Sequence, residues 1–432
     1  MKLHIKQGRV IDPLSGLDQI ADVFVQDGNV IALSQAPAGF SPDRVIDASG
    51  KLVIPGLVDL AARMREAGSA HRAALDADMQ AALAGGVTSV VLPPDTEPIL
   101  DEPGQVEMLK HRALRITHAN LYPLGAMTMG LKGEVITEMA ELTEAGCVGF
   151  SQADTAVKDT NVLLRAMQYA RTFGYVLWLR GQDAWLSRGG VAASGAYASR
   201  LGLPSIPLQA ETIALATLFE LQRAVGARLH ICRVSSAEGV AMIRAAKKEG
   251  LLVTCDVSAN HVHLTDVDIG YYDSNFRLDP PLRGQRDRDA IRAGLLDGTI
   301  DAICSDHTPV DDDGKMLPFA EAEPGATGLE LLLSLTLKWA MDANLPLVQA
   351  LAKVTSGSAR VLALSAPQTG VTGSIAAGSV ADLCILDAES RWLVQPENLL
   401  SQSRHTPFLG MDLPGRVLLT LVRGRVVWES VV

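Results

Sequence analysis

Four arginines stand where short apolar runs give way to polar loops: Arg63 and Arg65 in LAARMRE, Arg180 in WLRGQD, and Arg233 in HICRVSS. A guanidinium stays protonated and offers only donors, so it cannot ligate a metal. Its planar fork suits carboxylates and phosphates instead. Two readings follow. Either the arginines pair with nearby acids such as Asp59, Asp95, Asp183 and Asp306, or they line an anion-binding pocket. Asp306 and His307 end another apolar run, DAICSDH. Neighbours on a strand point to opposite faces, so Asp306 is the one expected among the arginines. Arginines there would favour its charged form.

Other chemistries lack their residues. A hydrolytic metal site needs imidazoles and carboxylates converging on one ion, with three protein ligands and an open position. Of the nine histidines, His4, His71, His111 and His405 read as surface residues, and His118 precedes a strand rather than ending one. His230, His261, His263 and His307 remain. His261 and His263 form an HVH on a segment expected to be extended, with too few partners for a ligand set. A GxSxG elbow, a P-loop and a strand-borne GxGxxG are all missing. Gly85-Gly86 follows a helix and reads as its C-cap. Cys147, Cys232, Cys255, Cys304 and Cys384 are scattered without a CxxC pair, which indicates reduced, mostly buried thiols.

The elements between these residues must position them. Strands are expected at 57–61, 88–92, 120–124, 147–150, 176–179, 228–231, 253–257 and 303–305. Helices are expected at 72–84, 105–115, 135–145, 161–173, 208–225, 237–249 and 328–343. Such alternation implies the α/β class and a parallel sheet with right-handed crossovers. Eight units fit a (β/α)8 TIM-type barrel, whose chemistry sits at the C-terminal ends of its strands. Both chain ends are strand-rich with tight turns, as in QDGN at 26–29. Each end alone is too small to bury a sheet face. The expected division is a small composite β-domain from residues 1–55 and 365–432, and a barrel from 56–364.

The 432 residues carry 38 Lys+Arg against 49 Asp+Glu, a net charge of −11. That balance argues against nucleic acid as a partner. With 48% hydrophobic and 20% charged residues, disorder and coiled coil are excluded. No apolar run is long enough for a membrane span, and MKLHIKQGRVIDP lacks a signal-peptide core, so a soluble cytoplasmic protein is expected.

The runs IPGLVDLAARMRE (54–66), AGGVTSVVLPPDTEP (84–98), AGCVGFS (145–151), LHICRVSS (229–236), DPPLRGQRDRDAI (279–291), DGTIDAICSDHTP (297–309), PGATGLE (324–330) and GSVADLCILD (378–387) resemble dihydroorotase, of the cyclic amidohydrolase superfamily. The resemblance covers nearly the whole chain in order. It implies a (β/α)8 barrel with a composite β-domain, the architecture expected above from alternation.

It also implies a lost site. In active members strand one ends in an aspartate followed by His-x-His-x-Arg, and both histidines bind zinc. Here Asp59 is followed by Ala61 and Arg63 at the ligand positions, and by Arg65 at that of the substrate-binding arginine. The bridging ligand falls at Gln152, the strand-five histidine at Arg180 and the strand-six histidine at Arg233. Only Asp306, at the position of a metal ligand and catalytic base, is retained. Two substrate-contacting asparagines become Asp95 and Asp279, acids that disfavour an orotate-like anion. Arg65, Asp95, Asp279 and His307 are therefore the candidate members of an anion or vestigial substrate pocket.

Zinc binding is expected to be lost, with no other cofactor in its place. The three replacing arginines would then serve as partners for Asp306 and its neighbours. Without zinc there is no activated water at neutral pH and no Lewis acid for the ring amide. The chain thus resembles the non-catalytic dihydroorotase-like subunits that some bacteria pair with aspartate carbamoyltransferase in pyrimidine biosynthesis. The expected partners are the transferase catalytic subunit and further copies of this chain. Trp185 or Tyr197, in the loop 183–199, could anchor a contact, with core packing equally open for each. The alternatives are a divergent cyclic amidohydrolase and a metabolite sensor using the arginine-rich pocket.

Overall fold

The computed structural model describes residues 1–64, 71–116 and 119–430. Its centre is a (β/α)8 barrel. Leu57–Asp59, Val87–Leu92 and Asn120–Pro123 pair in parallel. Gly125–Ala126, Phe150–Ser151, Val176–Arg180, Arg228–Cys232, Val253–Ser258 and Ala302–Cys304 continue the parallel order. Asn120–Pro123 and Gly125–Ala126 are two halves of strand three, each bonded to a different neighbour, with Leu124 N–H reaching Leu92 O at 2.9 Å between them. The ring closes through a parallel bridge of Ala62 with His307 and an Arg63 N–H to His307 O bond of 2.7 Å. Arg63 therefore sits on the closing seam.

The sequence explains the strands locally. VTSVVL at Val87–Leu92 is buried at every position, the pattern of a strand covered on both faces. Helix His71–Ala84 precedes it, and the turn between them runs through Gly86 at φ 77°. A side chain at Gly86 would also strike Cys384 Sγ at 2.7 Å, so only glycine fits there. One expectation needs correction. Helix 135–145 begins only at Met139, because Ile136 bridges Thr128 and the Thr137 hydroxyl donates to Ala126 O at 2.6 Å.

A separate β-sheet of eight strands draws on both ends of the chain. Arg425–Glu429, Asp412–Val422, Leu383–Leu393, Leu52–Pro55, Lys2–Asp12, Leu17–Gln26 and Asn29–Leu33 follow one another in it, and Arg44–Asp47 also pairs with Lys2–Asp12. The join is the antiparallel pairing of Leu52–Pro55 with Leu383–Leu393. Buried Leu3, Ile5, Val23, Val53, Leu383 and Leu419 form one core across that join. Two hairpins turn on residue pairs with positive φ, Asp27-Gly28 and Arg423-Gly424, the backbone that matches strand twist. Among the described residues, no helix is long and apolar enough to cross a membrane.

Candidate functional site

Strand ends one, five, six and eight deliver Arg63, Arg180, Arg233 and Asp306 to one place at the barrel mouth. Arg180 is the last residue of Val176–Arg180. Arg233 and Asp306 lie just past their strands in left-handed backbone, at φ 52° and 54°. That conformation costs a non-glycine residue on the order of 1 kcal/mol or more and needs outside support. Asp256 supplies it for Arg233, its Oδ1 accepting the Arg233 N–H at 2.6 Å. Ala153 is also left-handed, at φ 49°, with its N–H on Ser151 Oγ, and this bend turns Asp154 inward.

Asp154 is where the arginines meet. Its Oδ1 accepts from Arg180 Nη1 at 3.0 Å and from Arg233 Nη2, while Oδ2 lies 2.8 Å from Arg63 Nη2. Each guanidinium has a second carboxylate. Arg63 Nε donates to Asp95 Oδ2 at 2.8 Å, Arg180 Nη2 to Asp279 Oδ1 at 2.5 Å, and Arg233 Nη1 to Asp306 Oδ1 at 3.0 Å. Burial works to raise the Asp154 carboxyl, but Arg233, Arg63 and Arg180 outweigh it and hold it well below the usual carboxylate range. Burial likewise opposes ionisation of Asp279, and Arg180 overrides it downward. Asp306 goes the other way. Its burial lifts it above the usual range, outweighing Arg233 and Arg63, which favour the charged form as expected.

The other expected residues are sorted by the fold. Asp95 and Asp279 join the cluster as partners of Arg63 and Arg180. Asp59 does not: it is buried against Ser305, whose N–H and hydroxyl both bond it. Asp183 caps its own loop through Trp185 N–H and Leu186 N–H. Gln152 is buried beside strand three, accepting from Thr128 Oγ1 at 3.0 Å and donating to Leu131 O at 2.8 Å. Ala61 is buried among apolar side chains. Arg65 and His118 lie outside the described residues.

His307 is corrected out of the pocket. Strand alternation points it behind the barrel, where Nδ1 accepts from Gly328 N–H at 3.1 Å and Nε2 lies 3.4 Å from Asp78 Oδ1. The HVH is not extended either. His261 and His263 ride a single helical turn, Ala259–His263, capped by Ser258, and diverge to Pro281 O and Leu335 O. Burial pushes both imidazoles down to about 4, so they are neutral. His230 is committed to Thr254 and Asp256 in the barrel interior.

Zinc takes thiolates, neutral imidazoles and carboxylates. Here three of the positions that the resemblance assigns to ligands carry guanidiniums, and the remaining carboxylates are bound by those guanidiniums. Among the described residues, no three His, Cys, Asp or Glu side chains are disposed to hold a metal ion. These residues do not fit zinc.

Comparison with known proteins agrees with the barrel and its composite sheet. A family model described as dihydro-orotase-like matches residues 50–239, and the amidohydrolase family model matches 205–427. A dihydroorotase-like protein of Pseudomonas aeruginosa is 40% identical over 430 residues, covering 100% of both chains. A dihydroorotase of Geobacter sp. (strain M21) is 37% identical over 430 residues with the same coverage. The chain belongs to the dihydroorotase-like amidohydrolases. Among solved structures, L-hydantoinase (dihydropyrimidinase) from Arthrobacter aurescens superposes with a TM-score of 0.86 at 26% identity, over 99% of this chain and 96% of that one.

Within this dihydroorotase-like chain, Asp154 is the central residue that sequence reasoning did not single out. It lies two positions past the family's bridging-ligand position and carries no motif of its own. Three arginines at strand ends did signal that some carboxylate had to answer them. The Ala153 bend is what brings Asp154 to their centre.

Proposed function

We propose that this dihydroorotase-like chain is a non-catalytic, structural subunit that assembles with the catalytic subunit of aspartate carbamoyltransferase in pyrimidine biosynthesis. The observation that carries the proposal is the pairing of all three replacing arginines with carboxylates at the mouth. Ring-amide hydrolysis needs an activated water and a polarised carbonyl. Arg233 Nη1 donates to Asp306 Oδ1, so the one retained acid is engaged in an ion pair with a residue that stands at a ligand position. The sensor alternative loses its main support, because the guanidiniums it needs are already neutralised from within.

A shape retained without its chemistry suits a subunit valued for its surface. Trp185 is 65% exposed, with the Lys158 ammonium 5.3 Å from its ring centre. An exposed tryptophan is the side-chain type that anchors interfaces. Tyr197 is not comparable: its hydroxyl is tied to Gly270 O at 2.8 Å. Self-association of the chain is expected alongside transferase binding.

The test pairs two measurements on one preparation. Affinity-tagged chain is mixed with the transferase catalytic subunit and the complex is sized, while dihydroorotate hydrolysis is assayed in parallel. A defined complex without hydrolysis is the expected result. Hydrolysis of dihydroorotate by the pure chain overturns the non-catalytic reading, and failure to form a complex overturns the partner.

A further inference from the structure

The three guanidiniums that surround Asp154 are held independently of it. Arg63 is anchored by Asp95 and by Thr308 Oγ1 at 3.4 Å. Arg180 is anchored by Asp279, and Arg233 by Asp306 and by the Asp279 carbonyl at 3.2 Å. These side chains come from three different barrel strands and are only 4–7% exposed, whereas the Asp154 side chain is 29% exposed. The donors that face Asp154 are therefore buried and fixed by other partners. The anion arrives on a loop, from the solvent side.

The ion pairs point the same way. Among the described residues, Arg63, Arg180 and Arg233 pair with the carboxylates of Asp95, Asp279 and Asp306 respectively, and all three also pair with Asp154. Removing Asp154 takes a partner from three buried guanidiniums at once, which is costly. Donors converging from three sides onto two oxygens describe a receptor for one planar carboxylate.

We propose that Arg63, Arg180 and Arg233 form a carboxylate-binding site whose resident ligand is the chain's own Asp154, and that a small free carboxylate takes its place once that side chain is shortened. The site inverts the polarity of a metal centre: cations fixed in the wall, an anion at the centre. In the native chain it is filled from within, and external anions are refused. This inference stands or falls separately from the transferase reading.

The experiment compares full-length wild type with Asp154→Ala by thermal melting in sodium formate against sodium chloride at matched ionic strength, with formamide as a neutral control. Asp154→Ala should melt below wild type in chloride and regain stability saturably in formate, but not in formamide. Wild type should respond equally to formate and chloride. The double variant Asp154→Ala/Arg180→Met should lose the saturable response. Equal formate effects in wild type and Asp154→Ala, or an Asp154→Ala that melts like wild type, overturn the proposal. Should Asp154→Ala fail to fold in chloride, folding in formate supports the site, and failure in both salts sinks it.

Discussion

Asp154 and Asp306 are joined through the two ends of one guanidinium, Arg233 Nη1 donating to Asp306 Oδ1 at 3.0 Å and Nη2 to Asp154 Oδ1. A buried charge with its partner removed is far worse than a buried pair. Arg233→Met should therefore lower stability by about 3–5 kcal/mol in urea melts. Adding Asp306→Asn should recover part of that loss, because the stranded carboxylate is neutralised. Strictly additive losses in the double variant would mean that the two residues are not coupled.

Asp154 also predicts an acid limb. Its folded carboxyl lies below the ordinary value of about 3.9, so its contribution is complete above that value and is lost progressively as pH falls from there through the lower folded one. Asp154→Asn should be less stable at pH 7, with a flatter decline below about pH 5. Urea midpoints measured from pH 7 down to 3 decide this.

Glu330 predicts the opposite slope. Burial raises its carboxyl to about 7, although Leu400 N–H and Ser401 N–H both bond it. A carboxyl raised in the folded state favours folding below its unfolded value, and that advantage disappears as pH climbs to the folded one. Each unit is worth about 1.4 kcal/mol. Glu330→Gln, which keeps an acceptor for those N–H groups, should flatten the stability curve between about pH 5 and 7. A curve unchanged in that window would place the titration elsewhere.

Metal removal should do nothing. Ligands that bind the folded state raise its melting temperature, and stripping them lowers it. Prolonged dialysis against a chelator is expected to leave the melting curve of this chain unmoved, with metal analysis finding no stoichiometric zinc beforehand. A drop on chelation, reversed by zinc, would contradict the misfit of the arginine cluster with a metal.

Trp185 gives a prediction at the surface. Trp185→Ala should weaken transferase binding by about 2 kcal/mol, roughly thirty-fold in Kd, while leaving the melting temperature near wild type. Isothermal titration beside a thermal melt separates an interface effect from a folding defect. Unchanged affinity would move the contact away from the 183–199 loop.

The alternation of apolar strands and amphipathic helices by itself determined the barrel, because a parallel strand must be buried on both faces and its helices must cover it. The sequence also determined that Arg63, Arg180 and Arg233 stand at strand ends, at positions where the resemblance to dihydroorotase implies zinc-binding histidines. It named Asp95 and Asp306 among their counter-ions, but could not separate these from Asp59 and Asp183. Asp183 was as near in the chain to Arg180 as any acid, yet it caps its own loop, and Asp59 turns to Ser305. Asp154 and Asp279 reach the cluster from loops far apart in sequence, and His307 leaves it by facing the other side of its strand. Residue type limits which bonds can form. Which of several equal candidates form them is settled by backbone bends such as those at Ala153, Arg233 and Asp306, and tertiary packing alone holds these in place.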